Sequence, residues 1–204
     1  ELTGCVLLEA YGLSETSPAA TINPWNGQHK IGSIGLPLPN TDIKILDDDM
    51  KEVETGSPGE IAIKGPQVMK GYWQRPEETS KSMHGEYFLT GDVGTMDEKG
   101  FFKIVDRKKE MILVSGFNVY PNDVEKAISE NSKVLEVGVR GEKKDDGSEF
   151  VRAFIVKKDP SLTEEEVIEF CRTKLTNYKV PKSVSFRNEL PKSNVGKILR
   201  RLLE

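Results

Sequence analysis

Cysteine and histidine are scarce, with two of each in 204 residues. Neither pair makes a CxxC or HxxxH spacing, so no metal-ligand pattern is legible. Cys5 and Cys171 stand far apart and are expected to be reduced, buried small hydrophobes, as in a cytosolic protein. No apolar run approaches the roughly 20 residues that cross a bilayer, and no signal peptide is visible. A clustered basic excess is also missing. The formal charge is -4 with both signs interspersed, which argues against a nucleic-acid partner. What is present, 36% hydrophobic and 30% charged residues, fits a soluble globular chain of one large domain or two small ones. There is no repeat and no low-complexity tract. No Met stands at position 1, and "CVLL" (Cys5–Leu8) reads as a buried strand of a sheet not otherwise present. The back end of a longer protein is expected.

Two grammars follow one another along the chain. "TDIKIL" (Thr41–Leu46) and "GEIAIKG" (Gly59–Gly65) alternate polar and apolar residues as half-buried strands do. "DDDMKE" and "TGSPG" between them carry turn residues, and "GFFKIV" (Gly100–Val105) is a further strand. These strands predict a small antiparallel β-barrel or sandwich. After Asp106 strands and helices mix. "MILVSG" is a strand, and a helix starts near Pro121 with Val124, Ala127 and Ile128 on one face. "VLEVGVR" and "FVRAFIVK" are strands joined by a polar hairpin. "SLTEEEVIEFCRTKL" carries a capping box, Thr163 with Glu166, and a core face of Val167, Phe170, Cys171 and Leu175. "KSVSF" is a last strand. The expected fold class is α+β. Residues 1–106 form a β-rich unit with one residual α/β strand, and residues 107–204 form a compact, mobile α+β domain, with "DRKKE" as the hinge candidate.

Four short stretches could carry chemistry. In "YGLSETSP" (Tyr11–Pro18) two hydroxyls flank a carboxylate, Ser14-Glu15-Thr16, a donor set suited to phosphate and Mg²⁺; its plain reading is a capped strand-to-loop turn. "YFLTGD" (Tyr87–Asp92) projects a carboxylate from a tight turn, suited to a pair of ribose hydroxyls; a Gly-Asp turn is also very common. "VDRKKEMILVSG" offers Arg107 as an oxygen binder and Ser115-Gly116 as a point of close backbone approach, or else a solvated basic linker. "LPKSNVGKILRR" places Lys197 after a glycine. It fails as a phosphate-binding P-loop because Pro191 and Ile198 occupy required Gly and Ser/Thr positions. In isolation Lys197 reads as an exposed cap of a terminal helix.

Taken together and in this order, Tyr-Gly-x-Ser-Glu, Thr-Gly-Asp, Asp-Arg with Ser-Gly, and Pro-Lys with Gly-Lys resemble the adenylate-forming superfamily of acyl-CoA synthetases, luciferases and peptide-synthetase adenylation domains. The whole chain takes part. "GPQVMKGYWQRPEET", "VDRKKEMILVSGFNVYPNDVE" and "LPKSNVGKILRR" are most similar to the C-terminal portion of bacterial long-chain fatty-acid–CoA ligases. The resemblance implies ATP-dependent activation of a fatty acid to an acyl-adenylate, then thioester formation with coenzyme A. It implies that Glu15 holds Mg²⁺, that Ser14 contacts the AMP phosphate, and that Tyr11 and Gly12 pack on adenine. It also implies that Asp92 and Arg107 bind the ribose, that Lys109 is the hinge, and that Ser115-Gly116 lines the path of coenzyme A. Lys197 would bridge the carboxylate and the α-phosphate in the first step and leave for the second.

Three departures accompany this resemblance. Ala10 stands where the family has Gly, Tyr87 and Leu89 stand where many relatives have Trp and His, and "GSE" (Gly147–Glu149) replaces Gly-Glu. The implied partners are a fatty acid, ATP and coenzyme A, with no nucleic acid. A cytoplasmic location, peripheral contact with the inner membrane and a homodimer are further expectations for the longer enzyme. The fragment alone is expected to make no adenylate. Alternatives are a ligase for medium-chain or aryl acids, transfer to a carrier protein, or a non-catalytic partner- or carrier-binding module.

Overall fold

A computed structural model describes residues 4–204; residues 1–3, with which the first expected unit begins, lie outside the described part. The chain divides into two compact units, one running up to Lys108 and one from Lys109 to Glu204.

The first unit is built from antiparallel strands. Three short ones, β1 (Ala10–Tyr11), β2 (Thr21–Ile22) and β3 (Leu36–Pro37), form a small sheet in that order. A larger sheet runs β4 (Asp42–Leu46), β5 (Gly59–Lys64), β7 (Tyr87–Met96), β6 (Met83–His84), and β8 (Phe102–Arg107) also pairs with β7. A short helix, α1 (Pro76–Lys81), precedes β6. Ile43 and Ile45 of β4 alternate with polar neighbours and meet Ile61, Ile63 and Phe102 in one apolar cluster. On β5 both faces are covered, since Glu60 and Ala62 are buried as well as Ile61 and Ile63.

Several expectations need correction in this unit. Among the described residues the sheets stay open and none closes into a barrel. "CVLL" belongs to no strand, and Val6 and Leu7 are exposed. The sheet it was expected to join is not found among the described residues, and without a partner strand its backbone groups stay unpaired. Cys5 is exposed for the same reason, not buried. Thr90-Gly91-Asp92 is not a turn. It lies inside β7, where Gly91 at φ 70° and a register shift opposite Glu60 and Ala62 mark a β-bulge. A bulge re-aims the side chain beside it without ending the strand.

The second unit opens with a hairpin, β9 (Ile112–Val114) and β10 (Phe117–Val119), whose two-residue turn is Ser115-Gly116. Both turn residues have positive φ, 52° and 85°, the primed turn that follows the twist of paired strands. Helix α2 (Pro121–Ser129) follows with Pro121 in its first turn. A three-stranded sheet joins β11 (Val134–Lys143) antiparallel to β12 (Glu149–Lys157), and β12 parallel to β13 (Ser183–Arg187). Helix α3 (Glu164–Lys174) provides the connection that a parallel pair requires. Its capping box is formed: Thr163 Oγ1 accepts from the Glu166 N–H at 3.2 Å, and Glu166 returns the bond to the Thr163 N–H.

Strand β12 is buried on both faces. Val151, Ala153 and Ile155 join Val124 and Ile128 of α2 and Val167 and Cys171 of α3. Phe154 and Val156 on the opposite face are covered by Leu190, Ile198 and Leu203 of the C-terminal segment. Phe170, expected in the core, is only partly buried. Ile168 packs there instead, and the Phe170 ring lies under the Lys174 ammonium at 5.8 Å.

Candidate active site

In the first unit the bulge at Gly91 delivers Asp92 into a buried position, 4% exposed. Each of its oxygens has a protein partner. The Tyr11 hydroxyl donates to Oδ2 at 2.6 Å, and Arg107 Nε lies 2.8 Å from Oδ1. Asp92 and Arg107 face one another in the β7–β8 register, which sets their distance by backbone pairing. Burial, then the bond to Asp92, pushes the Tyr11 phenol well above its ordinary value, so it remains a donor. An ionised carboxylate offers about four acceptor positions, so about two remain for a ligand. That is the number a vicinal diol takes.

Next to this cluster in the chain, Ser14–Thr16 form a single 3₁₀ turn. Thr16 is buried and organises the turn: its hydroxyl donates to Leu13 O at 3.0 Å and accepts from the Leu13 N–H at 2.8 Å. Ser14 is exposed. Glu15 is half-buried, and its Oε1 accepts from the Tyr72 hydroxyl at 2.9 Å. Gly12 has a structural requirement. A Cβ there would lie 1.6 Å from the Pro18 carbonyl oxygen, so the protein's own backbone occupies that space.

The donor set can be tested against Mg²⁺. Among the described residues no group of three His, Cys, Asp or Glu could hold a metal ion. Glu15 alone does not make an all-protein site. It does fit Mg²⁺, which keeps its waters and is held by one or two carboxylates together with phosphate oxygens.

The basic run at 107–109 divides. Lys108 bonds Glu60 Oε2 at 3.0 Å and Asp48 Oδ1 at 2.9 Å. Burial lowers its pKa, but those two carboxylates outweigh this and the ammonium ends above its usual value. Lys109 is exposed, in the second unit, and lines a cleft of about 390 Å³ together with Glu110, Arg140, Glu149, Arg200 and Arg201. Glu149, to which the sequence reading gave no role, accepts the Leu113 N–H at 3.0 Å and ties the Ser115-Gly116 hairpin to β12.

Lys197 sits on a closed loop of the same unit. Lys192 and Ile198 form a bridge at its base, and the Ser193 N–H donates to Lys197 O at 2.8 Å. Ser193 Oγ accepts the Lys197 N–H at 3.1 Å, and Gly196 makes the turn at φ 80°. The Lys197 side chain is exposed, and among the described residues its ammonium has no ion-pair partner. Here is a fixed backbone carrying an uncommitted cation.

The structure therefore brings Tyr11, Asp92 and Arg107 together, and places Gly12, Ser14 and Glu15 on the loop that continues from Tyr11. Lys109, Ser115, Gly116 and Lys197 belong to the other unit. Tyr72 as a partner of Glu15, and Arg200 beside Glu110 and Glu125, were missed by sequence reasoning. Both lie within quoted motifs, but only distant partners reveal their roles.

The profile described as AMP-binding enzyme matches residues 1–73, and that described as AMP-binding enzyme C-terminal domain matches residues 123–197. The chain is 57% identical over 203 residues to a long-chain-fatty-acid–CoA ligase of Escherichia coli O6:H1, covering 100% of this chain and 36% of that protein. It superposes on ATP-bound MatB from Rhodopseudomonas palustris with TM-score 0.91 at 36% identity, over 98% of this chain and 40% of that one. It also matches O-succinylbenzoate coenzyme A synthetase from Bacillus subtilis in complex with ATP and magnesium, with TM-score 0.84 at 32% identity, over 96% of this chain and 41% of that one. The chain spans little more than a third of such relatives. Its likeness to AMP-binding enzymes thus rests on residues 1–73 for one family model and on residues 123–197 for the C-terminal domain model.

Proposed function

We propose that this chain is the C-terminal part of an AMP-forming ligase that joins long-chain fatty acids to coenzyme A. The observation that carries the reading is the 57% identity, along the entire chain, to a long-chain-fatty-acid–CoA ligase. In the first step an oxygen of the fatty-acid carboxylate attacks the α-phosphorus of ATP and pyrophosphate leaves. In the second step the thiol of coenzyme A attacks the acyl carbon and AMP leaves with the oxygen that joined it.

On this reading Asp92 accepts the two ribose hydroxyls at its remaining positions, and Arg107 and Tyr11 hold that carboxylate in place. Ser14 contacts the α-phosphate and Tyr11 and Gly12 border the adenine. Glu15 would hold Mg²⁺, which neutralises phosphate charge when bound. Lys197 places its ammonium between the two reacting anions, where fixed charge is worth far more than in water. It has to withdraw before coenzyme A can reach the same carbon. A turn of the second unit about Lys109 would replace Lys197 by the Ser115-Gly116 hairpin. The hydrophobic substrate favours a cytoplasmic enzyme in peripheral contact with the inner membrane, and a homodimer remains part of the proposal.

Oxygen-18 in the fatty-acid carboxylate tests the reaction class. The full-length protein containing this chain, given ATP and coenzyme A, should place one labelled oxygen in AMP. Label in inorganic phosphate would mean an acyl-phosphate route and would overturn the reading.

A further inference from the structure

We infer that Arg200 is a positioning residue for Lys197, an assignment that rests on the role proposed above for that lysine. The Arg200 side chain is only 13% exposed and its fork is used on several sides. Nε donates to Glu125 Oε1 at 2.8 Å and Nη2 to Glu125 Oε2 at 2.6 Å, a two-pronged pair. Nη1 donates to Glu110 Oε2 at 2.7 Å, and Nη2 also reaches Asn122 Oδ1. Glu125 Oε1 accepts the Val139 N–H at 2.8 Å as well. One guanidinium thus locks the C-terminal segment to α2, to β11, and to the residue that follows Lys109.

The Lys197 loop is closed on itself, so its aim depends on how its two ends are held. The Lys192 end pairs with Glu136 at 2.5 Å, but Lys192 is 40% exposed, and an exposed pair contributes little. The other end is packed by Ile198 and Leu203 on Gly138 and Phe154. Apolar packing holds a segment down without fixing its direction. Arg200, three residues beyond Lys197, supplies the directional contacts, because a planar fork on a carboxylate fixes orientation as well as distance. The same contacts key the loop to Glu110, so the aim of Lys197 is set from the segment beside the proposed hinge.

The test uses the full-length protein and both half-reactions. A displacement of the ammonium by about 1 Å corresponds to roughly a 100-fold loss. Arg200→Gln should slow single-turnover adenylation by about that factor, with the KM for ATP and thioester formation from supplied acyl-adenylate both within about 3-fold of wild type. Arg200→Lys should recover part of the loss, since it keeps the charge without the fork. Glu110→Gln, which leaves the Glu125 pair in place, should slow adenylation by about 5-fold and serves if Arg200→Gln does not fold. Equal losses in both half-reactions, or adenylation unchanged in Glu110→Gln and in any folded Arg200 variant, would overturn the inference. Lys197→Ala run in parallel separates the two readings. If it leaves adenylation intact, the lysine's role and this inference fall together. If it abolishes adenylation while the Arg200 and Glu110 variants do not slow it, only the inference falls.

Discussion

Replacing Asp92 by Ala removes the one acceptor on which two strands and β1 converge. The Tyr11 hydroxyl is 2.6 Å from Asp92 Oδ2 and would be left in a buried place without that partner. A buried donor deprived of its acceptor costs about 1–3 kcal/mol, near the middle of that range here because the Tyr11–Asp92 bond is only partly buried. Arg107 is 46% exposed and can return to water, so its loss adds no more than about 0.5 kcal/mol. A total near 2 kcal/mol corresponds to about a 30-fold fall in protection from hydrogen exchange, at 1.36 kcal/mol per tenfold. The assay is amide exchange by NMR on this chain. The slowest amides of Ala62 and Leu89, paired across β5 and β7, should exchange about 30-fold faster. Those of Ala153 and Ile155 in the second unit act as an internal control and should stay within about 2-fold. A fall of less than about 3-fold at Ala62 and Leu89 would refute the claim that this carboxylate holds the first unit together.

Gly12→Ala places a methyl 1.6 Å from Pro18 O and 2.7 Å from Ala19 Cα, both backbone, so the loop must move at a cost of about 3 kcal/mol. Exchange at the Ala20 amide, which donates to Tyr11 O, should rise sharply; wild-type protection there would contradict the close approach. Burial pushes the Cys171 thiol up to about 11, so a thiol reagent at pH 8 should label exposed Cys5 and leave Cys171 untouched until unfolding. Labelling of both at one rate would refute the burial of Cys171. The Lys133 ammonium, then the Thr163 N–H, hold Glu166 below its usual value of 4.5. A lowered carboxyl contributes stability above its unfolded pKa and loses it as pH falls through the lower folded value. Protection of α3 should therefore decline below pH 4.5 more steeply in wild type than in Glu166→Gln, and equal slopes would count against the capping box.

Much of this fold is written locally. Thr163 and Glu166 are three residues apart, and the alternation in Asp42–Leu46 needs no partner to be seen. What escaped was set by distant neighbours. The two-residue strands β1, β2 and β3 are too short to carry a period. "CVLL" had the composition of a strand but nothing beside it to pair with. Gly91 signalled an interruption, but a turn and a bulge require the same glycine, and only the pairing of β7 with β5 decides between them. Phe170 lost its core position to Ile168 because the faces of α3 are fixed by α2 and β13, not by its own sequence. The site was read in the same uneven way. Asp92, Glu15 and Lys197 announce themselves by motif. Tyr72 meets Glu15 across 57 positions and Arg200 meets Glu110 across 90, and no local pattern encodes such pairs.

The account turns on an exposed cation at Lys197 serving one half-reaction and not the other. The direct measurement is rapid-quench kinetics of Lys197→Ala in the full-length protein, each half-reaction taken alone. A fixed charge at a developing anion is worth about 10²–10³ in rate, so adenylation of a long-chain fatty acid should fall by at least that factor. Thioester formation from supplied acyl-adenylate and coenzyme A should stay within about 3-fold of wild type. Loss of both steps by the same factor, or adenylation at the wild-type rate, would contradict the account.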